Sequence, residues 1–314
     1  MKYDYRIASD RGSSFLVLDP DGVERTVTIS PSLSRPAVGD YVAIDPDDRI
    51  SAIGPRRGVL ARARADRGNA AQIVAAHLDV VFVVTSPGRE FSPSRVERYL
   101  TAAHAGEILP VIVLNKRDIA NDLGALCSDL ANVAGDAPVH AVSAVTGHGC
   151  EALAPYLEAG TTLALVGSSG VGKSTLANTL LGDERFVTGA TRSTDGRGKH
   201  TTTAREMIAL PSGAWLIDTP GMRAFAPWAG EDALAEAFAD VDEAATRCRF
   251  RDCAHAAEPG CAVAAEIDEP RLARWRALRV ELAYLDRRDD PAFFAAEKKR
   301  WKQRSKAQRA HYRE

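Results

Sequence analysis

The chain of 314 residues contains no long hydrophobic run. Its most apolar stretches, residues 80–84 and 109–114, are far shorter than the roughly 20 residues of a transmembrane helix. The first ten residues carry charges of both signs and no apolar run, which is not the pattern of a secretory signal. We therefore expect no membrane association and a cytoplasmic protein.

Cysteine and aromatic residues are also scarce. Five cysteines, an odd number, do not suit a disulfide framework and favour thiols that are free or bound to metal. The 45% of hydrophobic residues excludes a disordered chain. The net charge of −2 indicates little, because charge is spread unevenly along the chain. The length allows two or three domains.

Residues 1–69 form the first predicted domain. Short β-type segments at 14–18, 24–29 and 40–44 are separated by turns rich in Asp, Pro and Gly. Four or five strands in so short a segment predict a small closed β-barrel, for which an OB-fold is the commonest architecture and an SH3-like barrel the alternative. Several arginines between residues 56 and 67 make the following linker basic.

Residues 70–227 form the second predicted domain. Apolar segments at 78–84, 109–114, 139–142, 161–166 and 214–217 alternate with amphipathic ones such as 95–105. This alternation predicts an α/β domain with a largely parallel sheet. Residues 228–314, the third domain, show helical periodicity, interrupted by a Cys/His cluster and ending in a strongly basic tail.

A phosphate-binding motif lies between the predicted strand 161–166 and the helix after it. The sequence G-x-x-x-x-G-K-[ST] suits a loop whose backbone N–H groups surround a β-phosphate. We expect the Lys173 ammonium to meet the β- and γ-phosphate oxygens and the Ser174 hydroxyl to bind Mg²⁺. The predicted nucleotide contacts here are Gly167, Ser168, Ser169, Gly170, Val171, Gly172, Lys173, Ser174 and Thr175.

Two further motifs complete a guanine nucleotide site. Asp218 and Gly221 form a D-x-x-G motif, in which the carboxylate holds the Mg²⁺ shell and the glycine N–H meets the γ-phosphate. Asn115, Lys116 and Asp118 form N-K-x-D after an apolar strand, where ligands bind in open α/β sheets. The carboxylate of Asp118 can accept from the N1–H and the amine of guanine, which adenine does not present together.

The base site has two further predicted contributions. The Asn of N-K-x-D connects neighbouring loops, and the stem of the Lys covers one face of the base. After the next strand come Ser143 and Ala144, placed to offer a backbone N–H to guanine O6. The expected cofactors are therefore GTP or GDP with Mg²⁺.

The order of these motifs is permuted. In ordinary GTPases the phosphate loop comes first, whereas here N-K-x-D at 115 and S-A at 143 precede the phosphate loop at 167 and D-x-x-G at 218. With the N-terminal barrel and the Cys/His cluster, this order resembles the circularly permuted RsgA-type (YjeQ/YloQ-type) GTPases of small ribosomal subunit maturation. The resemblance implies GTP hydrolysis stimulated by the small subunit, a barrel that contacts ribosomal RNA, and a zinc-containing helical C-terminal region.

The hydrolytic residues are predicted less directly. Met222 follows D-x-x-G where many GTPases have a water-positioning Gln. Within residues 196–203, Thr202 is our first choice for the second Mg²⁺ ligand and γ-phosphate sensor, with Thr203 the alternative. Similar proteins carry a histidine just before these threonines, which His200 matches. It either positions or deprotonates water or is a solvated loop residue.

Three thiols and an imidazole predict one structural zinc ion. Cys248, Cys253, His255 and Cys261 would form a closed tetrahedral shell without a water ligand. Separate buried cysteines with a surface histidine are the alternative, but the resembled family has the same spacing.

The basic residues from 298 to 313 are either a solvated helix face or an RNA contact. We expect a monomer whose partners are the small ribosomal subunit and its rRNA. A permuted GTPase acting on the large subunit or another RNA is one alternative, and a nucleotide-gated RNA-binding module is the other.

Overall fold

The computed structural model describes residues 2–63, 71–186, 206–218, 234–235, 238–250, 252–256 and 258–287. The chain divides into two compact units, each of which is treated by itself below. The first contains residues 1–62 and 73–228, and the second contains residues 63–72 and 229–314. Within the described residues, no helix has both the length and the apolar character needed to cross a membrane.

The N-terminal strands close into a five-stranded barrel. They are β1 (Tyr5–Asp10), β2 (Phe15–Leu18), β3 (Glu24–Ile29), β4 (Tyr41–Ile44) and β5 (Arg49–Ile53). Their order is β1-β2-β3-β5-β4, and β4 pairs back onto β1. The β3–β5 pair is parallel while the other neighbours are antiparallel, which is the arrangement of an OB-fold rather than an SH3-like barrel. The predicted closed barrel is confirmed.

The barrel leads into an α/β region with alternating strands and helices. Its strands are β6 (Leu60–Ala63), β7 (Ala71–Ala75), β8 (Val80–Thr85), β9 (Leu109–Leu114), β10 (Val139–Ala141), β11 (Thr162–Val166), β12 (Glu206–Ala209) and β13 (Trp215–Asp218). Its helices are α1 (Pro93–Ala105), α2 (Leu123–Ala134) and α3 (Lys173–Leu181), with 3-10 turns at Gly88–Glu90, Arg117–Ile119 and Cys150–Tyr156. β6 and β7 pair with each other, separately from the main sheet.

The main sheet has the strand order of a GTPase whose chain is opened at a different place. Across the sheet the order is β10-β9-β8-β11-β13-β12. All neighbours are parallel except β12 and β13. If the strands are renumbered along the chain with the phosphate-loop strand β11 as the first and β8 as the fourth, the order read from the β12 end is 2-3-1-4-5-6. The permuted α/β fold predicted from the motif order is therefore confirmed.

The barrel and the α/β sheet are joined edge to edge. β1 pairs antiparallel with β12 at Ser9 and Glu206, so one sheet runs through eleven strands. Arg6 of β1 donates through Nη2 to Oγ1 of Thr162, 2.7 Å away at the start of β11. A single hydrophobic cluster contains both barrel residues such as Phe15 and α/β residues such as Ile112. Barrel and α/β region thus form one packed body.

The second unit is helical, with α4 (Ala239–Ala245), α5 (Ala262–Glu266) and α6 (Glu269–Arg287). Its core contains Phe238, Val241 and Leu272, all fully buried. Arg271 of α6 forms a two-point ion pair with Asp240 of α4, at 2.5 and 2.7 Å. Burial opposes ionisation of Asp240, but the hydrogen bonds and charge of Arg271 outweigh it and lower the pKa of that carboxyl.

Candidate functional site

The phosphate loop connects β11 to α3, and two of its glycines cannot be replaced. Gly167 has φ +140°, and a Cβ there would lie 2.1 Å from the carbonyl oxygen of Val84. Gly172 has φ +96°, and a Cβ there would lie 2.3 Å from Nδ2 of Asn115. Both positions need glycine because they combine a left-handed backbone with close contact to a neighbouring strand or side chain. The loop is therefore pressed against the ends of β8 and β9.

Lys173 is the first residue of α3, and its side chain folds back over the loop. Its Nζ donates to the carbonyl oxygens of Gly167 at 2.8 Å and Ser168 at 2.7 Å. The ammonium therefore lies over the loop at a helix N-terminus, where backbone N–H groups attract anions. Ser174 and Thr175 follow in the first helical turn and are partly exposed. This geometry suits a polyphosphate.

Asn115 joins the phosphate loop to the segment at 143–144. The side chain is buried, with Nδ2 donating to the carbonyl oxygen of Val171 at 3.0 Å. Its Oδ1 accepts from the backbone N–H of Ala144 at 3.0 Å. Lys116, in left-handed conformation with φ +62°, donates from Nζ to the carbonyl oxygen of Gly170 at 2.6 Å. Three motifs that are distant in sequence thus meet at the carboxyl end of the sheet.

Asp118 lies beside this junction in the 3-10 turn after β9 and is exposed. Within the part of the chain that the structure describes, its carboxylate makes no hydrogen bond or ion pair, so both oxygens can accept from a ligand. Ser143 and Ala144 bound the same region, but their N–H groups are used inside the protein. Ser143 donates to the carbonyl oxygen of His148 at 2.8 Å, and Ala144 donates to Asn115 as described above.

The γ-phosphate side of the site is described in part. β13 ends at Asp218, whose backbone pairs with that of Glu206 in β12. Gly221, His200 and Thr202 lie outside the described residues.

Two residues outside the predicted motifs support the site. Arg95 in the first turn of α1 donates to the hydroxyl of Ser168 in the phosphate loop. Thr179 of α3 donates to the carbonyl oxygen of Ala144 at 2.7 Å. Neither belongs to a recognisable motif, and each contact joins residues far apart in sequence, so no local signal could have indicated it.

The four predicted metal ligands in the second unit come together. The donor atoms of Cys248, Cys253, His255 and Cys261 all lie within 4.8 Å of one another. Nδ1 of His255 is 3.6 Å from the sulfur atoms of Cys248 and Cys261, and those sulfurs are 3.9 Å apart. A tetrahedral zinc site with ordinary bond lengths places S and N about 3.6 Å apart and two sulfurs about 3.8 Å apart. The cluster therefore has the dimensions of a zinc site.

The surroundings of the cluster fix the ligands. Backbone N–H groups of Val263 and Ala262 lower the pKa of Cys248, whereas removal from water and the neighbouring thiols raise the pKa of Cys253 to about 11. His255 adopts a left-handed conformation with φ +56°, and its carbonyl oxygen accepts from Arg276 of α6. Several thiols so close together favour a bound cation that can hold them as thiolates.

Comparison with known proteins agrees with this geometry. Residues 53–228 match the family model described as RsgA GTPase. The small ribosomal subunit biogenesis GTPase RsgA of Opitutus terrae is 44% identical over 297 residues, covering 88% of this chain and 81% of that protein. The protein of the same name from Xanthomonas euvesicatoria is 48% identical over 261 residues, covering 81% of this chain and 71% of that protein.

Solved structures show the same architecture. The crystal structure of YjeQ from Thermotoga maritima has a TM-score of 0.66 and 26% identity, covering 90% of this chain and 99% of that one. YloQ, described as a circularly permuted GTPase, has a TM-score of 0.61 and covers 89% of this chain and 94% of that one, which at 22% identity shows the fold. From the family match, the relatives and the permuted fold together, we conclude that the chain belongs to the RsgA GTPase family.

Proposed function

We propose that this GTPase acts as a late-stage maturation and checkpoint factor of the small ribosomal subunit, with GTP hydrolysis stimulated by the subunit. The observation that carries the nucleotide assignment is Asn115, which connects the phosphate loop to the 143–144 segment beside the free carboxylate of Asp118. Such a junction positions a base as well as phosphates. The curated relatives, which are named for small ribosomal subunit biogenesis, support the biological process.

In this proposal Asp118 selects guanine. Its carboxylate accepts from both N1–H and the exocyclic amine, and an adenine in the same place would leave it without those partners. The stem of Lys116 covers the base, and Ser143 and Ala144 bound its pocket. The phosphates bind the amides of residues 167–175, while the ammonium of Lys173 neutralises their charge.

Hydrolysis requires further groups on the γ-phosphate side. The hydroxyls of Ser174 and Thr202, with Asp218 in the surrounding shell, would hold Mg²⁺, which when bound neutralises charge on the β- and γ-phosphates. Gly221 would offer its N–H to the γ-phosphate. We assign His200 to positioning or deprotonating the attacking water, because Met222 cannot do either.

Each region of the chain has its own part in this proposal. We assign the barrel and basic linker (1–69) and the basic tail to ribosomal RNA contacts, the core (70–227) to GTP, and the C-terminal region (228–314) to a structural zinc held by Cys248, Cys253, His255 and Cys261. The protein would act as a monomer in the cytoplasm.

Single-turnover GTP hydrolysis tests this proposal. The purified chain should hydrolyse GTP slowly alone and at least about tenfold faster with small subunits, but not with large subunits. Lys173→Ala should abolish both rates. His200→Ala should lower the stimulated rate while nucleotide affinity changes little, as expected for a group used in the transition state.

Other results would redirect the assignment. Equal stimulation by large subunits would contradict the proposed partner. Subunit binding that depends on nucleotide but leaves the hydrolysis rate unchanged would identify a nucleotide-gated binding module instead. Full stimulated activity in the His200 variant would remove this residue from the hydrolytic step.

A further inference from the structure

An arginine outside every nucleotide-binding motif reaches the phosphate loop. Arg95 lies in the first turn of α1, and its Nη1 donates to the Ser168 hydroxyl. The same nitrogen is 3.2 Å from Oε2 of Glu90, in the 3-10 turn before the helix. The side chains of Arg95 and Glu90 are 42% and 40% exposed. Exposed ion pairs of this kind contribute little to stability, so fold stability does not account for the arrangement.

Ser168 is held from two sides. While Arg95 binds its hydroxyl, the ammonium of Lys173 binds its carbonyl oxygen. The preceding Gly167 lies against the end of β8 with no space for a side chain. The entrance of the loop is therefore fixed by α1, β8 and Lys173 together. The following residues, Ser169 and Gly170, are exposed.

We propose that Arg95 is a positioning residue of the nucleotide site, which orients the phosphate loop through the Ser168 hydroxyl while Glu90 orients the guanidinium. This inference rests on the proposed binding of a guanine nucleotide by this loop. Fixing Ser168 sets the direction of the backbone N–H groups that follow it. A loop that is already in its binding conformation loses less entropy on binding, so the nucleotide dissociates more slowly.

The test uses the full chain and dissociation of fluorescent GDP and of a fluorescent non-hydrolysable GTP analogue. Arg95→Ala and Ser168→Ala should each accelerate dissociation about tenfold. The nucleotide should leave the double variant at most about twofold faster than it leaves either single variant, because both substitutions remove the same interaction. Arg95→Lys should recover part of the loss. Arg89→Ala, which removes an equal charge from the neighbouring turn, is the matched control and should leave dissociation unchanged.

Steady-state kinetics and thermal unfolding separate positioning from a structural effect. Arg95→Ala should raise KM more than it lowers kcat, with an unchanged unfolding midpoint. Wild-type dissociation rates in Arg95→Ala would overturn the proposal. The proposal would also fail if the accelerations of dissociation in the two single variants multiplied in the double variant. It would fail likewise if Arg95→Ala accelerated dissociation and Ser168→Ala did not, since either result means that Arg95 does not act through Ser168. If the wild-type chain binds neither nucleotide, the proposed function itself fails.

Discussion

At the scale of single residues, the proposed function assigns the choice of base to Asp118. Asp118→Asn should lower GTP affinity at least about 100-fold, because the amide cannot accept from both donors of guanine. Affinity for xanthosine triphosphate should rise, since the amide can donate to the 2-oxo group. Equilibrium titrations with GTP, ATP and XTP measure both changes.

Asp129→Asn provides the control for this substitution. Asp129 is exposed on α2, away from the 3-10 turn that carries Asp118, and the same chemical change there should leave all affinities unaltered. Comparable affinities for ATP and GTP in the wild-type chain would contradict the assignment.

We predict that His77 contributes a pH dependence to the stability of the fold. Its side chain is buried, and within the described residues neither ring nitrogen has a hydrogen-bond partner. Burial lowers the pKa of His77, and the nearby positive charges of Arg6, Arg57 and Arg56 act in the same direction against the opposing effect of Asp40. The unfolded chain therefore binds this proton more readily, and stability falls as pH decreases below about 6.5.

His77→Asn should reduce that loss of stability. Asparagine tolerates the left-handed backbone at this position, φ +57°, and does not titrate. The unfolding midpoints of variant and wild type are compared at about pH 7.5 and about pH 5.5. One titrating proton changes the free energy of unfolding by at most about 1.4 kcal/mol per pH unit. An identical pH dependence in both proteins would show that His77 is not the responsible group.

The motifs of the predicted site could be recognised in the sequence because each is local. The motif spacing, with a predicted strand before it and a helix after it, placed Gly167 and Gly172 in the phosphate loop, and close contacts in the structure explain why both are glycine. The contribution of Arg95 was not predictable, since its partner Ser168 lies 73 residues further along the chain. Contacts of this kind follow from tertiary packing.

At the scale of secondary-structure elements, the predicted strands with continuous apolar sequence agree best. β9 has the predicted bounds, 109–114, and the strand predicted at 161–166 begins one residue later as β11. β1 and β12 were not predicted as strands, because their sequences mix polar and apolar residues. Each pairs at four positions with the next strand along the chain, whereas β1 and β12 pair with each other at one position. Mixed polarity gives a weak local signal for a strand, because strand propensity depends strongly on context.

The Cys/His cluster, which we propose binds zinc, is part of the core of the second unit. Cys248, Cys253 and Cys261 contribute to the same hydrophobic cluster as Phe238 and Leu272. Cys253→Ser should reduce zinc content from about one equivalent to near zero and lower the helix content of this unit, because the unit loses its cross-link. Metal analysis and circular dichroism measure the two effects.

Cys127→Ser is the matched control, since Cys127 lies on α2 and is not part of the cluster. It should keep its zinc. Affinity for GDP should remain within about twofold in both variants, because no cluster residue belongs to the nucleotide site. Full zinc content in Cys253→Ser, or none in the wild-type protein, would contradict the assigned ligands.

At the scale of the whole molecule, permutation changes how the γ-phosphate side is connected. β12 follows the segment that contains His200 and Thr202, and it pairs directly with the first strand of the barrel. β13 ends at Asp218, and in the sequence the C-terminal part of the second unit begins at residue 229. In the proposed function, β12 therefore joins the segment that contains His200 and Thr202 to the barrel, which we assign to RNA, and this connection would couple nucleotide state to subunit binding.

The most direct test of this account is the affinity of the full chain for small subunits with GDP and with a non-hydrolysable GTP analogue, measured across a salt series. We predict tighter binding with the analogue by about 5- to 150-fold, the range of typical coupling free energies. By reciprocity the subunit should tighten analogue binding by the same factor. Equal subunit affinity in the two nucleotide states would show that the site does not control subunit binding, and it would contradict the account.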